Sequence, residues 1–414
     1  MAGGHSHSAH DRPAAARVGG RARWVLLAFL AVAAGSTVMG LVLMWPGSDP
    51  RPNDAQTAFA APGVTFPDAE VLGVQPACPR VTTPEQGSEP SRSTDGAAAP
   101  AECGHISVLV STGAARGTRT DVPVAPEVTG SGLRAGDSVR LLRTPAAAAA
   151  PSTLSFFGVN RTTPLWILGG LFLLTVAAVA RLRGLLALVG LAFGGFVLVR
   201  FMLPALLTGA SGLGVALVGS SAIMFVVLYL AHGVSLRTSA ALAGTLVGVL
   251  ITALVGVVAV RASRLSGIPD ESGAILSSFA GDVNFQGLLT AAVIIAGLGI
   301  LNDVTITQTS AVWELRAADP GMNRRTLFTS AMRIGRDHIA STIYTIVFAY
   351  AGTALTVLLL LFLYERPLLD LLSTEDIAEE ITRTFASGIG LVLAVPVTTA
   401  IAAAVVAPRS RPRE

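Results

Sequence analysis

The sequence predicts an all-α polytopic membrane bundle of about eight helices, with a small extracytoplasmic β domain between the first two spans. Three observations predict it. Apolar stretches of about 20 residues recur along the chain of 414 residues, and a helix of about that length crosses a ~30 Å hydrocarbon core. Only 13% of the residues are charged, whereas a soluble domain carries about 25%. One long polar segment separates the first apolar stretch from the second, and its hydrophobic residues alternate with the period of a β-strand.

Composition narrows the function classes. The mean hydropathy is +0.64 and the isoelectric point is near 9.3. The net charge is only +3, and all 29 basic residues are arginine. These arginines flank apolar runs and build no nucleic-acid-binding patch. The absence of lysine, with abundant alanine, glycine and proline, reads as GC-rich coding.

The first span covers residues 24–45, between Trp24 and Trp45, behind Arg12, Arg17, Arg21 and Arg23. Tryptophans at both ends suit membrane interfaces. The run exceeds the 7–15 residues of a signal-peptide core, and Ala58-Phe-Ala lies too far downstream for ordinary cleavage, so a retained anchor is expected. Residues 1–23 read as a disordered cytosolic tail. The other spans are 164–180, 185–203, 213–232, 239–260, 286–306, 339–363 and 384–407, giving a seven-helix membrane domain over 164–407 and a cytosolic tail over 408–414.

Orientation follows from arginine in short loops. With the N-terminus in the cytosol, the cytosolic segments hold fifteen arginines, among them Arg181, Arg183, Arg237, Arg316, Arg324, Arg325, Arg333 and Arg336. The outer loops hold four: Arg261, Arg264, Arg366 and Arg383. Both termini are then cytosolic, in the cell membrane.

The outer segment, 46–163, opens with a proline-rich linker and closes with an alanine run between Pro145 and Pro151. A low-complexity insert occupies about 84–100. Alternating runs beginning at Ala69, His105, Thr120 and Asp137 read as strands, with glycine turns at Gly113, Gly117, Gly130 and Gly132. Four or five strands in this length suggest a small barrel of OB-like type, which either binds a ligand or serves as an interaction module. Cys78 and Cys103 lie here, and a disulfide is permitted in an oxidising compartment.

Charged and polar residues inside the membrane core are candidate functional groups. On a helix, Asp303, Thr307, Ser310 and Glu314 share one face; so do Arg333, Asp337, Ser341 and Tyr344 on the next. The two faces could meet, with Asp303 paired to Arg333 or Arg336. Asp303 lies near the end of its span, so a helix-end ion pair stands beside a translocation role. Acids at Asp370, Glu375, Asp376, Glu379 and Glu380 read as a solvated helix start capped by Ser373, or as a cation-attracting vestibule. His5, His7 and His10 form a loose metal-binding tract at best. Pro396 is a candidate kink.

The stretch Asp282…Gly287-Leu-Leu…Gly297-x-Gly-x-x-x-Asp303-Val, then Glu314-Leu, Ser330-x-Met-x-Ile-Gly-Arg336-Asp337 and Tyr350-x-Gly352, resembles the YibE/F-like family of bacterial membrane proteins. The likeness covers about 160–407. It implies a multi-pass inner-membrane protein and supplies no substrate. This chain departs from it in the polar run Asn302-Asp303-Val-Thr-Ile-Thr.

The functional expectation is a permease or channel-like transporter of a small solute or ion. Asp303, Arg336 and Asp337 would handle charge, and Thr307, Ser341 and Tyr344 would line the path. The alternative is a membrane-anchored regulatory protein whose β domain meets an envelope partner. No Walker A, HExxH, GxSxG or CxxC pattern occurs, so neither an enzyme nor a cofactor is expected. The partners expected are the lipid bilayer and a small solute, not nucleic acid.

Overall fold

A computed structural model describes residues 20–47, 63–76, 104–146, 152–268, 271–280, 283–363 and 367–406. The chain divides into two compact units, Thr57–Thr175 and the remainder.

The smaller unit is a five-stranded sheet. Its strands are β1 (Asp68–Gln75), β2 (His105–Val110), β3 (Arg119–Pro123), β4 (Ser138–Thr144) and β5 (Thr153–Val159). A helical turn, α2 (Pro126–Gly130), precedes β4. The spatial order is β3-β2-β1-β4-β5, antiparallel throughout. The sheet curls, so that Cα atoms of the edge strands β3 and β5 come within 8 Å of each other. Period-two alternation drives this arrangement: Ala69, Val71, Ile106, Val108, Val122, Val139 and Leu141 are wholly buried on one face. A register shift between Val71 and Gly73 lets β1 serve two neighbours while it bends. The four alternating runs of the sequence became β1 to β4. The fifth strand, β5, lay unread in the Leu154-Ser-Phe156 alternation before the second span.

The larger unit is helical. α1 spans Gly20–Leu43. α3 (Thr162–Val197) passes through a π turn at Leu198–Met202 into α4 (Leu203–Leu207). Pro204 lacks the N–H that an α-helical turn requires there, and a widened turn before it accommodates the ring. From Thr162 to Leu207 is 46 residues, roughly 69 Å at 1.5 Å per residue, over twice the apolar thickness of a bilayer. The chain breaks at Arg181, whose backbone is left-handed (φ 53°, ψ −141°). A Cβ placed on Gly184 would lie 2.7 Å from Val176 Cγ1, although eight residues of straight helix span about 12 Å. The helix is therefore sharply kinked at Arg181.

Helix starts are encoded by caps. Ser211 caps α5 (Gly212–His232), Ser235 caps α6 (Leu236–Ala262), Asn284 caps α8 (Phe285–Ala318) and Asn323 caps α9 (Arg324–Thr353). Each side-chain oxygen accepts a backbone N–H three residues on. A short helix, α7 (Glu271–Phe279), lies between α6 and α8. α9 bends by 66° into α10 (Leu355–Leu363), and α11 (Leu368–Leu372) leads to α12 (Glu375–Val405). α12 runs as one helix through Pro396. Ser373 does not cap it: Thr374 occupies the cap position, and the Ser373 hydroxyl donates to the Asp370 carbonyl at 2.7 Å. Among the described residues, six helices are long and apolar enough to cross a membrane, or up to seven if α9 and α10 form one bent span.

α6, α8 and α12 pack most extensively on one another. Lipid tails supply no hydrophobic drive between helices, so close contact through small residues holds them. Thr252 Oγ1 would lie 1.9 Å from a Cβ on Gly390, and Thr398 Oγ1 would lie 2.1 Å from one on Gly244. At Gly212 the obstacle is backbone: the Gly287 carbonyl oxygen would lie 2.0 Å away. Gly212→Ala should therefore separate α5 from α8 and destabilise the protein by about 1–3 kcal/mol. Gly299→Ala, at an exposed site with nothing within 4 Å, should leave the melting temperature in lipid nanodiscs unchanged or raise it.

Candidate functional site

The polar residues singled out by helical spacing are exposed. Asp303 and Thr307 on α8, and Arg336, Asp337, Ser341 and Tyr344 on α9, all face outward from the helix bundle. Asp303 does not pair with Arg333 or Arg336. Its Oδ2 lies 3.9 Å from His338 Nε2, and its side chain is 68% exposed. Arg333 reaches Ser330 Oγ instead, at 3.5 Å. α8 has 34 residues, about 51 Å of helix, longer than a ~30 Å hydrocarbon core requires. Thr307 and Glu314 lie in its second half, and Arg333, Arg336 and Asp337 lie in the third and fourth turns of α9. Arg316 locks the hairpin between them: its Nη1 donates to the carbonyls of Pro320 (3.3 Å) and Met322 (2.5 Å). Val312, Leu327, Ala331 and Ala402 form a small apolar core beside it.

Most of the buried polar groups carry no charge. Thr245, Thr252, Thr305, Gln308, Thr309, Ser387, Thr398 and Thr399 are at most 2% exposed, and they form a seam between α6, α8 and α12. Thr245 Oγ1 meets Thr305 Oγ1 at 2.6 Å. Gln308 Nε2 donates to the Ala331 carbonyl of α9 (2.9 Å) and to Thr399 Oγ1 of α12 (2.8 Å). Ser387 Oγ approaches the Val293 carbonyl at 3.4 Å. Most hydroxyls also donate to the carbonyl one turn back, as Thr245 does to Ala241 and Thr252 to Gly248. This local bond offsets the cost of placing a hydroxyl in an apolar medium. Thr398 Oγ1 has no hydrogen-bond partner.

Two charged side chains are buried, Arg316 at the end of α8 and Glu379 in α12. Glu379, in the second turn of α12, is 3% exposed, and its Oε1 has no hydrogen-bond partner. It lines a cavity of about 260 Å³ with Thr353, Ala354, Val357, Asp376, Ile377, Glu380 and Arg383. Arg383 Nη1 is bonded to Glu380, while its Nε is unpaired. Tyr350 lies close to Arg383, Glu380 and Ser387, and so joins the cavity to the seam. Glu375, at the start of the helix, accepts the Ser266 N–H at 2.5 Å and ties α12 to the segment after α6.

Residues 168–408 match the model of the YibE/F-like protein family. The chain belongs to the YibE/F-like family. No curated protein and no solved structure matches it significantly. The YibE/F-like region contains α5 to α12, the whole seam and the Glu379 cavity; α1 and the β-sheet lie before it. With its apolar helices, it identifies a membrane protein.

Spacing analysis found the polar faces of this YibE/F-like chain but not the seam, because threonine, serine and glutamine in an apolar run carry no charge to mark them. Glu379 was visible only as one acid among five. Its burial arises from the bend between α9 and α10, which nothing in the local sequence announces. Cys78, Cys103, His5, His7, His10 and Asp282 lie outside the described residues. Gln308→Leu should cost about 1 kcal/mol, since it removes two interhelical bonds of the size measured in membrane helices. Asp303→Asn should change stability by no more than about 0.5 kcal/mol. Thermal unfolding in nanodiscs compares the two directly.

Proposed function

We propose that this YibE/F-like protein is a cell-membrane permease or channel-like transporter of a small solute or ion, with α6, α8 and α12 enclosing its path. The observation that supports this reading most is the seam of buried hydroxyl and amide groups between α6, α8 and α12, among them Ser387, Gln308 and Thr399. Seven hydroxyls and an amide exceed what helix contact needs, because glycine and alanine at the same positions would pack at least as closely. The seam is shut in this structure, so transport requires α12 to move against α6. The hinge lies where Gly390 faces Thr252 and Gly244 faces Thr398. Asp303, Arg336 and Asp337 then act near the cytosolic mouth rather than within the path.

The reading counts eight spans, with the kink at Arg181 dividing 162–207 into two, and with both termini in the cytosol. Fifteen arginines against four support this orientation. Reporter fusions after Arg183 and within 316–336 should fluoresce as cytosolic GFP and stay inactive as alkaline phosphatase. The opposite pattern inverts the topology.

Thiol labelling tests the path. In a Cys78→Ser, Cys103→Ser background, Thr252→Cys, Thr305→Cys and Ser387→Cys should each react with a small membrane-impermeant methanethiosulfonate in energised cells. Lipid-facing Leu254→Cys should not. Three seam cysteines as inert as Leu254→Cys would remove the transport reading.

A second reading has its own support. The strand order, closed by the approach of β3 to β5, is the ring order of an OB-like barrel, and such barrels bind ligands or partners. An extracytoplasmic barrel of this kind would contact an envelope partner. Deleting 52–145 separates the two readings, since a permease core keeps its flux and a receptor loses its activity.

A further inference from the structure

We infer that the cavity at the bend between α9 and α10 is a binding site for a small organic cation, a primary ammonium with a short apolar tail, and that Glu379 is its counter-charge. Three observations converge on that class. Glu379 is almost fully buried and has an unpartnered Oε1, yet it lines the cavity. A carboxyl so placed carries its charge only where something compensates it. The protein's own cation does so only in part: Arg383, close to Glu379 but bonded to Glu380, is the single basic residue of the lining against the three acids Asp376, Glu379 and Glu380. The last turn of α9, ending at Thr353, also borders the cavity, and the C-terminal end of a long helix adds partial negative charge.

The remaining features separate an organic cation from a metal ion. Among the described residues, no group of three or more histidine, cysteine, aspartate or glutamate side chains could hold a metal. The volume, about 260 Å³, corresponds to roughly eight or nine waters at ~30 Å³ each, far more than a bare ion occupies. The lining also has an apolar part, formed by Ala354, Val357 and Ile377. A charged head and a short hydrocarbon chain therefore both find complementary surface. Membrane-protein sites often form where a helix is interrupted, and the 66° bend is such an interruption.

This assignment goes beyond the transport reading and does not depend on the seam opening. The test is calorimetric titration of the full chain in nanodiscs with n-butylammonium, 1-butanol as its neutral counterpart, and calcium. Butylammonium should bind saturably and at least tenfold more tightly than 1-butanol. Glu379→Gln should weaken it tenfold or more, and Asp370→Asn, outside the cavity, should not. Val357→Trp, which fills the cavity without altering its charge, should also abolish binding, and it keeps the proposal testable if Glu379→Gln fails to fold. Equal binding of 1-butanol, absence of saturation, or full affinity in both cavity variants overturns the site. Calcium binding that Glu379→Gln abolishes, with none for butylammonium, overturns the ligand class. None of these outcomes alters which seam cysteines react.

Discussion

The membrane unit depends on one constraint: helices in lipid attract each other only through contact, so their surfaces must meet closely. Dispersion yields about 0.1–0.2 kcal/mol per atom pair and vanishes with a small gap. The closest contacts therefore fall at residues lacking a side chain. Gly212 meets the Gly287 carbonyl, Gly244 meets Thr398, Gly390 meets Thr252, and Gly335 meets both Val395 and Gln308. These contacts fix the relative rotation of α5, α6, α8, α9 and α12. Because α12 touches α6, α8 and α9 through glycine on one side or the other, a change at any of these positions propagates through its whole length.

The same constraint sorts the buried polar groups into two kinds. A threonine hydroxyl in lipid satisfies itself on the carbonyl one turn back, and Thr245, Thr252, Thr309 and Thr399 do so. Such a group costs little and remains available to a second partner, as the Thr245–Thr305 contact shows. A carboxylate has no such local remedy. Glu379 is only partly compensated by its own helix, because Arg383, one turn on, is bonded to Glu380. Packing therefore accounts for the seam's geometry but not for the presence of Glu379, whose position at the mouth of a helix bend is best explained by an occupant from outside the chain.

Much of the fold was legible because its signals are strong. Apolar runs gave the helices, but not their starts: Ser373 is the cap that the sequence suggested, and Thr374 occupies that position. The Arg181-Leu-Arg183 interruption between two apolar runs marked the break in α3. Four strands followed from alternation. The α9–α10 break was not legible: it falls at Ala354 within an apolar run, where no proline enforces it. The candidate site was less legible still. Periodicity places Asp303, Thr307 and Glu314 on one face correctly, but it cannot say whether that face looks at a partner or at solvent. Only the packing of α8 against α6 and α12 decides it.

The extent of the family match adds a final step. It begins at residue 168 and reaches 408, so it includes both polar features of the membrane unit while the β-sheet lies before it. The residues that carried the resemblance fit this division. Gly297 packs on Ser387 and Thr252 in the seam, and Tyr350 stands between the seam and the Glu379 cavity. Arg336 and Asp337 lie instead on an exposed face in the fourth turn of α9. The motif thus marks three places along the helices: a sealed interior, the neighbourhood of a cavity, and an exposed charged face. Gln308 and Gly335 join α9 to α12 at one end, and Tyr350 lies close to Arg383 at the other.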